Sequence, residues 1–396
     1  MKQLSLFGLT IAALWAVFGV CACDNSNDDT ATPDKEPAVF NYAVIVESSY
    51  QDSLATAEAL NASLKAFVET PNQETLSSAK AAWKASREPY LQTEVYRFYG
   101  GPIDNEENGP EGLLNAWPLD ENHIDYVANG DGTNDWTGFV NGTDEISAAS
   151  VEAHNEAGGE SNVATGYHAI EFLLWGQDLT DPAENKPGQR SFQDYVDGGD
   201  AQNAERRGAY LLVAGDLLVA NLQQVHQEWA VGGAYRASFE ADADQAFENI
   251  LTGMTILSGF ETGGERLQAA LDSGEQEDEH SCFSDNTHRD MIQDVQGVWN
   301  VWTGTYTKVD GTQISGTSIK SVVEEVAPEL AASLDSRIST SLQLANAMQV
   351  PFDLAIATSN AEGRVGVQAL VESLLIQESL LEDVFDAFQL EVPVAE

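Results

Sequence analysis

The sequence is poor in basic residues: its 396 residues include 18 Lys and Arg against 64 Asp and Glu, a formal net charge of −46. A field this negative repels phosphate backbones and excludes direct binding to nucleic acid. It also repels an anionic membrane surface unless a covalent anchor holds the protein there. The chain is nevertheless a folded one, because 43% of its residues are hydrophobic and 9% are aromatic. Its partners are therefore neutral or cationic: metal ions, peptides or other proteins.

Long apolar runs are missing except at the N-terminus, where an uncharged run over residues 4–20 follows Lys2. This pattern predicts an export signal peptide over residues 1–22, and no later segment offers the roughly 18 apolar residues that a spanning helix needs. The sequence VCAC that ends at Cys23 is typical of a bacterial lipobox, with cleavage before Cys23 and lipid on its thiol. Cys21 is a poorer candidate because Val20 is bulky, and an ordinary secretory signal without lipid is the alternative. Residues 23–39 are predicted to form a flexible tether.

Cysteine is scarce, with three residues in all. If Cys21 leaves with the signal peptide and Cys23 carries lipid, Cys282 alone remains and no intramolecular disulfide is available. The fold must then be stabilised by its core. A lone thiol in an oxidising compartment indicates burial, with metal ligation as the alternative.

Strand-like alternation is also rare, and helical patterns dominate the chain. Asn72 or Thr75 could cap the second helix, and Pro89 is expected to kink it. Residues 100–165 look mostly irregular, which in a compact domain often marks function. We predict helices at about residues 40–68, 76–99, 164–175, 204–230, 241–257, 317–335, 335–349 and 362–389. The prediction is an all-α chain with a long irregular insertion, an N-terminal bundle over residues 40–235 and a C-terminal bundle over residues 236–396.

The first group of candidate functional residues is the sequence GYHAIE at residues 166–171. His168 and Glu171 are three residues apart, so on a helix they share a face and can ligate a transition metal or form an acid–base pair. The apolar residues 172–175 predict that this helix is buried. A structural His–Glu pair is the alternative interpretation. The metalloprotease motif HExxH is absent, and Phe172 excludes HxxEH.

The second group is a polar and aromatic stripe on the predicted helix 76–99, made of Trp83, Arg87, Tyr90, Glu94 and Arg97. Their spacing of about 3.5 residues would place all five side chains on one helical face. In a chain with so few basic residues, the stripe indicates the lining of an internal polar site. The arginines could neutralise buried carboxylates there, and Glu94 could ligate a metal. A solvated helix face is the alternative.

The third group is the segment 276–290, which holds two of the six histidines, one cysteine and five carboxylates. Histidine, thiol and carboxylate groups are all able to ligate metals. An acidic surface loop would explain the carboxylates but not the clustering of His280, Cys282 and His288. The two-residue spacing of His280 and Cys282 favours a loop over a helix face.

These residues resemble a known family. The sequence GYHAIE matches the GxHxxE signature of the imelysin-like proteins, and the chain is similar to their iron-regulated outer-membrane branch. Further similar stretches lie at residues 82–97, 101–104, 115–120 and 278–288, so that the resemblance spans about residues 40–390. It implies two related helical bundles with a site between them, export to the bacterial envelope and a link to iron acquisition. The family is also grouped with metallopeptidases.

Two main hypotheses follow. In the favoured one, an envelope lipoprotein of the outer membrane or periplasm binds a divalent or ferric metal ion, iron or alternatively zinc, and works with other iron-uptake envelope proteins. His168 and Glu171 would be ligands, helped by Glu94, Asp178 or His288. In the other, a metallopeptidase holds Zn²⁺ with Glu171 as general base. A third hypothesis is a partner-binding protein in which the His and Glu of HxxE have a structural role only. The residues expected to line the site are Gly166, Trp83, Arg87, Tyr90, Arg97, His280, Cys282 and Asp285.

Overall fold

The computed structural model describes residues 33–395. The predicted signal peptide, the lipidation site Cys23 and most of the predicted tether therefore lie outside the described residues. The tether prediction, 23–39, runs too far, because the first helix already begins at Glu36 with Pro37 in its first turn. Within residues 33–395 no helix combines the length and the apolar character that crossing a membrane requires.

Residues 33–395 form sixteen α-helices. These are α1 (Glu36–Glu69), α2 (Gln73–Leu91), α3 (Glu111–Leu114), α4 (Glu121–Ile124), α5 (Gly138–Asn141), α6 (Ala148–His154), α7 (Gly166–Trp175), α8 (Ala204–Trp229), α9 (Ala234–Ala241), α10 (Ala243–Ile256), α11 (Ala269–Ser273), α12 (Thr287–Thr303), α13 (Ile319–Val326), α14 (Pro328–Ala347), α15 (Phe352–Ile356) and α16 (Ala361–Phe388). Strands β1 (Val127–Ala128) and β2 (Asn134–Asp135) pair antiparallel, as do β3 (Thr305–Thr307) and β4 (Gln313–Ser315). The predicted all-α class is confirmed.

The helix α2 begins at the cap that the sequence predicts. The side chain of Asn72 accepts hydrogen bonds from the backbone N–H groups of Glu74 and Thr75 at 2.9 and 3.1 Å. In return, the hydroxyl of Thr75 accepts from the backbone N–H of Asn72 at 3.2 Å. Both candidate caps therefore act together as a capping box, which satisfies donors that a helix start leaves free.

The end of α2 differs from the prediction, because the helix stops at Leu91 instead of continuing to residue 99. A 3₁₀ turn follows at Glu94–Tyr96, and Phe98 adopts a left-handed φ of 74°. The backbone N–H of Phe98 donates to the carboxylate of Asp104, which holds the chain out of the helix. The segment packs so closely on α10 that a Cβ on Gly253 would lie 2.3 Å from the carbonyl oxygen of Val95.

This early end corrects the interpretation of the stripe. Trp83, Arg87 and Tyr90 lie on α2, whereas Glu94 and Arg97 lie beyond it and share no helical face with them. Trp83, Arg87, Tyr90 and Glu94 are each 0% exposed, so a solvated face is excluded. Tertiary contacts, not helical periodicity, bring these groups inside.

The second half of the chain holds further differences. The helix α10, predicted to end near residue 257, continues through a π-helical segment at Leu257–Gln268 into α11. Helices α9 and α12 were not predicted. The predicted boundary at residue 335 is wrong, because α14 begins at Pro328, where proline suits the first helical turn, and runs through to Ala347.

The helices pack in two groups within one compact unit that begins at Pro33. In the first group α1 packs against α2 and α8, and α7 packs against α2 and α8. In the second group α16 packs against α14 and the π-helical segment. The helix α12 contacts α2 as well as α14 and so joins the two groups. The domain boundary at residues 235/236 stays a prediction. Short helices α3–α6 and the hairpin β1–β2 occupy residues 100–165, in agreement with the predicted irregular insertion.

Candidate functional site

The GxHxxE sequence forms the start of α7, and the backbone at its first position leaves room only for glycine. Gly166 has a φ of +79°, and a Cβ at this position would lie 2.4 Å from the backbone oxygen of Leu114. Every residue of α7 is buried. The indole N–H of Trp83 donates to the backbone oxygen of Tyr167 at 2.9 Å, which fixes α7 against α2. The helix is therefore enclosed on the side that carries His168.

The predicted His168–Glu171 pair is formed. Nδ1 of His168 lies 3.0 Å from Oε2 of Glu171, and Oε1 of Glu171 accepts from the N–H and hydroxyl of Ser284 at 3.0 and 2.6 Å. Nε2 of His168 has no hydrogen-bond partner among residues 33–395. Burial raises the pKa of Glu171 to about 8. Burial, and then the nearby charge of Arg87, lowers the pKa of His168 well below its usual value.

A second imidazole, that of His280, lies against the first. The ring centroids of His168 and His280 are 4.9 Å apart, and the ring of Trp117 lies at the same distance from His168. Nδ1 of His280 is 2.8 Å from Oδ2 of Asp290, while its Nε2 is without a partner in the described part of the chain. Burial, and then Arg266, lowers the pKa of His280 to about 4. Both histidines are therefore neutral at pH 7.

Asp290 is the buried, charged group that holds His280. The guanidinium of Arg87 lies 3.0 Å from its Oδ2, the hydroxyl of Ser281 donates to the same oxygen, and Asn286 donates to Oδ1 at 3.1 Å. Burial opposes ionisation of Asp290, but Arg87 and then His280 outweigh it and lower its pKa far below the usual value. Because Arg87 lies on α2 and Asp290 on α12, this ion pair connects the two groups of helices.

A second buried ion network surrounds Glu94. Its Oε2 accepts from Arg97 at 2.7 Å and from Arg266 at 2.5 Å, and Arg266 also pairs with Asp294 at 2.9 Å. Burial acts to raise the pKa of Glu94, but Arg97 and Arg266 outweigh it and lower the pKa to about 2. Arg266 reaches this position from the π-helical segment, and such segments are common at functional sites.

A cleft of about 490 Å³ opens onto His280 and this network. It is lined by Arg97, Glu111, Asn115, Ala116, Trp117, Pro118, Glu156, Glu160, Glu261, Glu265, Arg266 and His280. Five glutamates outnumber two arginines in this lining, so the cleft favours the entry of cations.

Comparison with known proteins identifies the family. The sequence model of the Imelysin family (Peptidase_M75) matches residues 46–381, which is most of the chain. The chain belongs to the Imelysin family.

Relatives of this imelysin-family chain agree with that assignment. It is 25% identical over 346 residues to a protein named iron-regulated protein A from Synechococcus elongatus, covering 85% of this chain and 82% of that one. A crystal structure described as an iron-regulated protein A precursor from Parabacteroides distasonis superposes with a TM-score of 0.65 at 18% identity, covering 90% and 96% of the two chains. An imelysin-like protein from Psychrobacter arcticum superposes with a TM-score of 0.58 at 13% identity, covering 91% and 97%. At these identities the two structures establish the fold alone.

The predicted site residues of this imelysin separate into three places. His168, Glu171, Arg87 and His280 belong to the paired-histidine site, and Glu94 and Arg97 belong to the Arg266 network. Asp178 and Asp285 meet elsewhere, where their carboxylate oxygens and those of Asp353 lie within 4.8 Å of one another. Among residues 33–395, no comparable group of three His, Cys, Asp or Glu side chains includes His168. The proposed ligand set of His168, Glu171 and a third carboxylate or His288 stays a prediction.

Two further predicted residues are placed close to the site. Cys282 is a free, buried cysteine in the 3₁₀ turn Cys282–Ser284, and burial raises the pKa of its thiol well above the usual value. His288 lies in the first turn of α12, and burial lowers its pKa. Its Nδ1 makes no hydrogen bond within the residues that the structure covers.

Sequence reasoning missed several residues that shape the site. Trp117 and Asn115 lie in one of the stretches that carried the family resemblance, and Asp290 ends the His-rich segment 276–290, but none was given a role. Arg266 had no signal, since a lone arginine in an apparently irregular stretch is indistinguishable from a surface residue. The position of Arg266 depends on the π-helical segment.

Proposed function

We propose that this protein binds a transition-metal ion through Nε2 of His168 and Nε2 of His280. The supporting observation is the pair of buried, neutral imidazoles with ring centroids 4.9 Å apart, each with its Nδ1 within hydrogen-bond distance of a carboxyl group. Metal-binding histidines typically use this arrangement, because a hydrogen bond at one ring nitrogen orients the other toward the metal. Imidazole ligands suit iron and zinc.

In this proposal Glu171 and Asp290 orient the histidines and are not ligands. Both oxygens of Glu171 already accept or share hydrogen bonds with His168 and Ser284. The role differs from the ligand or general-base role that the sequence suggested for Glu171. A general base would need a carboxylate oxygen free to face metal-bound water, so the geometry favours metal binding over proteolysis. Water or oxygen atoms of a small molecule entering the acidic cleft would complete the coordination.

An iron-related role is part of the same proposal. A relative covering most of the chain is named iron-regulated protein A. The excess of five glutamates over two arginines in its lining concentrates cations in the cleft. We infer that the metal is iron, with zinc as the alternative, and that the protein acts in iron acquisition together with other envelope proteins.

The metal proposal predicts a graded loss of binding. The full chain, stripped with chelator and then loaded with Fe²⁺, Fe³⁺ or Zn²⁺, is expected to retain metal after desalting. His168→Ala and His280→Gln are expected to lose it, because each removes a ligand. Glu171→Gln is expected to weaken affinity only about 10–100-fold, the usual effect of altering a group that orients a ligand. Elemental analysis measures the metal content that each variant retains, and titration calorimetry measures its affinity for the metal.

Two controls make this experiment decisive. His226→Ala, on the last turn of α8, should leave metal content unchanged, and His288→Ala tests whether the ligand suggested by sequence contributes. Circular dichroism establishes that each variant is folded. Equal metal content in wild type and in folded His168→Ala would refute the site.

For location, we propose the bacterial envelope with a lipid on Cys23. The support is the order of signal peptide, lipobox and polar segment in residues 1–39. Expression with radiolabelled palmitate should label the wild type and leave Cys23→Ser unlabelled. Labelling of Cys23→Ser together with loss of label in Cys21→Ser would move the lipid to the other cysteine, and an unlabelled, secreted wild type would contradict the anchor.

A further inference from the structure

Three buried aspartates from distant parts of the sequence meet next to the paired-histidine site. Asp178 follows α7, Asp285 precedes α12 and Asp353 lies in α15. Their carboxylate oxygens lie within 4.8 Å of one another, and the three residues are 4%, 8% and 4% exposed. Carboxylates this close and this poorly hydrated repel one another unless protons or a cation neutralise them.

Basic side chains do not perform this neutralisation. Lys84 is the cation whose charge acts on Asp285, but its ammonium group donates to the backbone oxygen of Ser284 at 2.8 Å. None of the ion pairs formed within residues 33–395 includes Asp178, Asp285 or Asp353. The excess of negative charge in this small volume must therefore be neutralised by a ligand or by protons.

Two unpartnered oxygens point to a ligand. Oδ2 of Asp285 has no hydrogen-bond partner in the described chain, and the same holds for Oε2 of Glu279. Glu279 is 1% exposed, and after burial it is the charges of Asp353, Asp285 and Asp178 that raise its pKa. Glu279 is thus a fourth buried carboxyl group within electrostatic reach of the three aspartates. Buried acceptors are rarely left without a partner in native proteins.

We propose that Asp178, Asp285 and Asp353 form a Ca²⁺ site, with Glu279 as a further carboxylate beside it. The centre of three oxygens that all lie within 4.8 Å of one another is at most about 2.8 Å from each, so a closure of a few tenths of an ångström brings them to the Ca²⁺–oxygen distance of about 2.3–2.6 Å. Carboxylate-only ligands favour a hard cation over the transition metals that imidazoles select. Mg²⁺ would require a tighter, regular octahedron at about 2.0–2.1 Å.

The cation would connect three segments: the chain after α7, the loop 279–287 and α15. The loop 279–287 also carries His280 and Ser284, whose side chains contact His168 and Glu171. Calcium bound at Asp285 would therefore fix the loop that completes the paired-histidine site. The proposed calcium site does not depend on metal binding at the paired-histidine site.

The state without calcium has a distinct signature. The three carboxylates lie within 4.8 Å of one another and are almost completely shielded from water. Without a cation, ionising these groups at pH 8 costs folding free energy, and Asp353→Asn removes one of the repelling charges. We expect Asp353→Asn to be at least as stable as wild type in EGTA and less stable than wild type in Ca²⁺.

The test uses the full chain at pH 8, with thermal unfolding and equilibrium dialysis in EGTA, in Ca²⁺ and in Mg²⁺. Wild type should bind one Ca²⁺ per chain and unfold at a higher temperature in Ca²⁺ than in EGTA. Asp353→Asn and Asp285→Asn should weaken Ca²⁺ binding at least tenfold and lose the thermal shift. Mg²⁺ at the same concentration should give a smaller shift.

The matched control is Asp310→Asn, which alters an aspartate in an exposed turn whose Oδ1 accepts from the N–H of Thr312 at 2.8 Å. It should bind Ca²⁺ like wild type. His168→Ala should keep its calcium response while losing transition metal. Asp353→Asn should lose its calcium response but still bind transition metal, more weakly than wild type because the loop 279–287 is less firmly held, so failure of either site is recognised separately. The calcium proposal is overturned if wild type binds no Ca²⁺ saturably, or if Asp353→Asn binds it equally well.

Discussion

Replacing Asp290 by Asn is expected to lower the free energy of unfolding by about 3–5 kcal/mol, because it leaves the guanidinium of Arg87 as an unpaired buried charge. Both side chains are 0% exposed. Arginine cannot relieve this cost by losing its proton, since its pKa is too high. His280 loses its carboxylate at the same time. Urea unfolding at pH 7 followed by circular dichroism measures the difference.

The control for Asp290→Asn is Asp216→Asn, which changes an aspartate that also pairs with one cation. Asp216 contacts Lys65 at 2.7 Å, and the two side chains are 60% and 54% exposed. Exposed pairs contribute about 0–1 kcal/mol, so the control should remain close to wild type. If the two variants lose similar stability, the buried network is not the feature that joins α2 to α12.

The effect of Asp290→Asn on the pH dependence of stability has a definite sign. Arg87 and His280 hold the pKa of Asp290 below its unfolded value. A carboxyl whose pKa is lowered by folding contributes stability above its unfolded pKa, about 4, and this contribution is lost as the pH falls. Wild type should therefore lose more stability between about pH 4 and pH 2 than Asp290→Asn does.

Gly166→Ala is expected to be the second most damaging substitution, with a loss of more than about 2 kcal/mol. The left-handed φ of +79° alone costs an alanine about 1–2 kcal/mol. The new Cβ would also lie 2.4 Å from the backbone oxygen of Leu114, so the start of α7 and the end of α3 would have to move apart. Because His168 lies two residues further on, metal content should fall together with stability.

Gly366→Ala provides the opposite result as a control. This glycine lies inside α16, and a Cβ on it would have no atom within 4 Å. Alanine is there expected to stabilise the helix by about 0.5–1 kcal/mol, since it restricts the unfolded chain. Urea unfolding of both variants should thus give shifts of opposite sign. A stable, metal-binding Gly166→Ala would show that the backbone at this position adapts.

The helices and the central pair of the site were predictable, because they depend on local order in the sequence. The His168–Glu171 contact follows from a spacing of three residues on one helix, and the cap at Asn72 follows from side-chain chemistry within one turn. The prediction of one helical stripe failed at Glu94 because contacts with residues outside the helix end it before that position. A hydrogen bond from Phe98 to Asp104 and close packing on Gly253 end α2 early, and neither is encoded in helical periodicity.

The sequence by itself determined that this is an acidic, all-helical chain of the Imelysin family, and it singled out His168 and a few carboxylates as candidate functional groups. Tertiary structure alone decided the partners of those groups. His280 and Asp290 come from more than a hundred residues away, Arg266 enters through a π-helical segment, and Asp178 pairs with Asp285 and Asp353 instead of His168. The reason is physical: buried charges and imidazoles are positioned by the packing of distant helices, which local patterns do not specify.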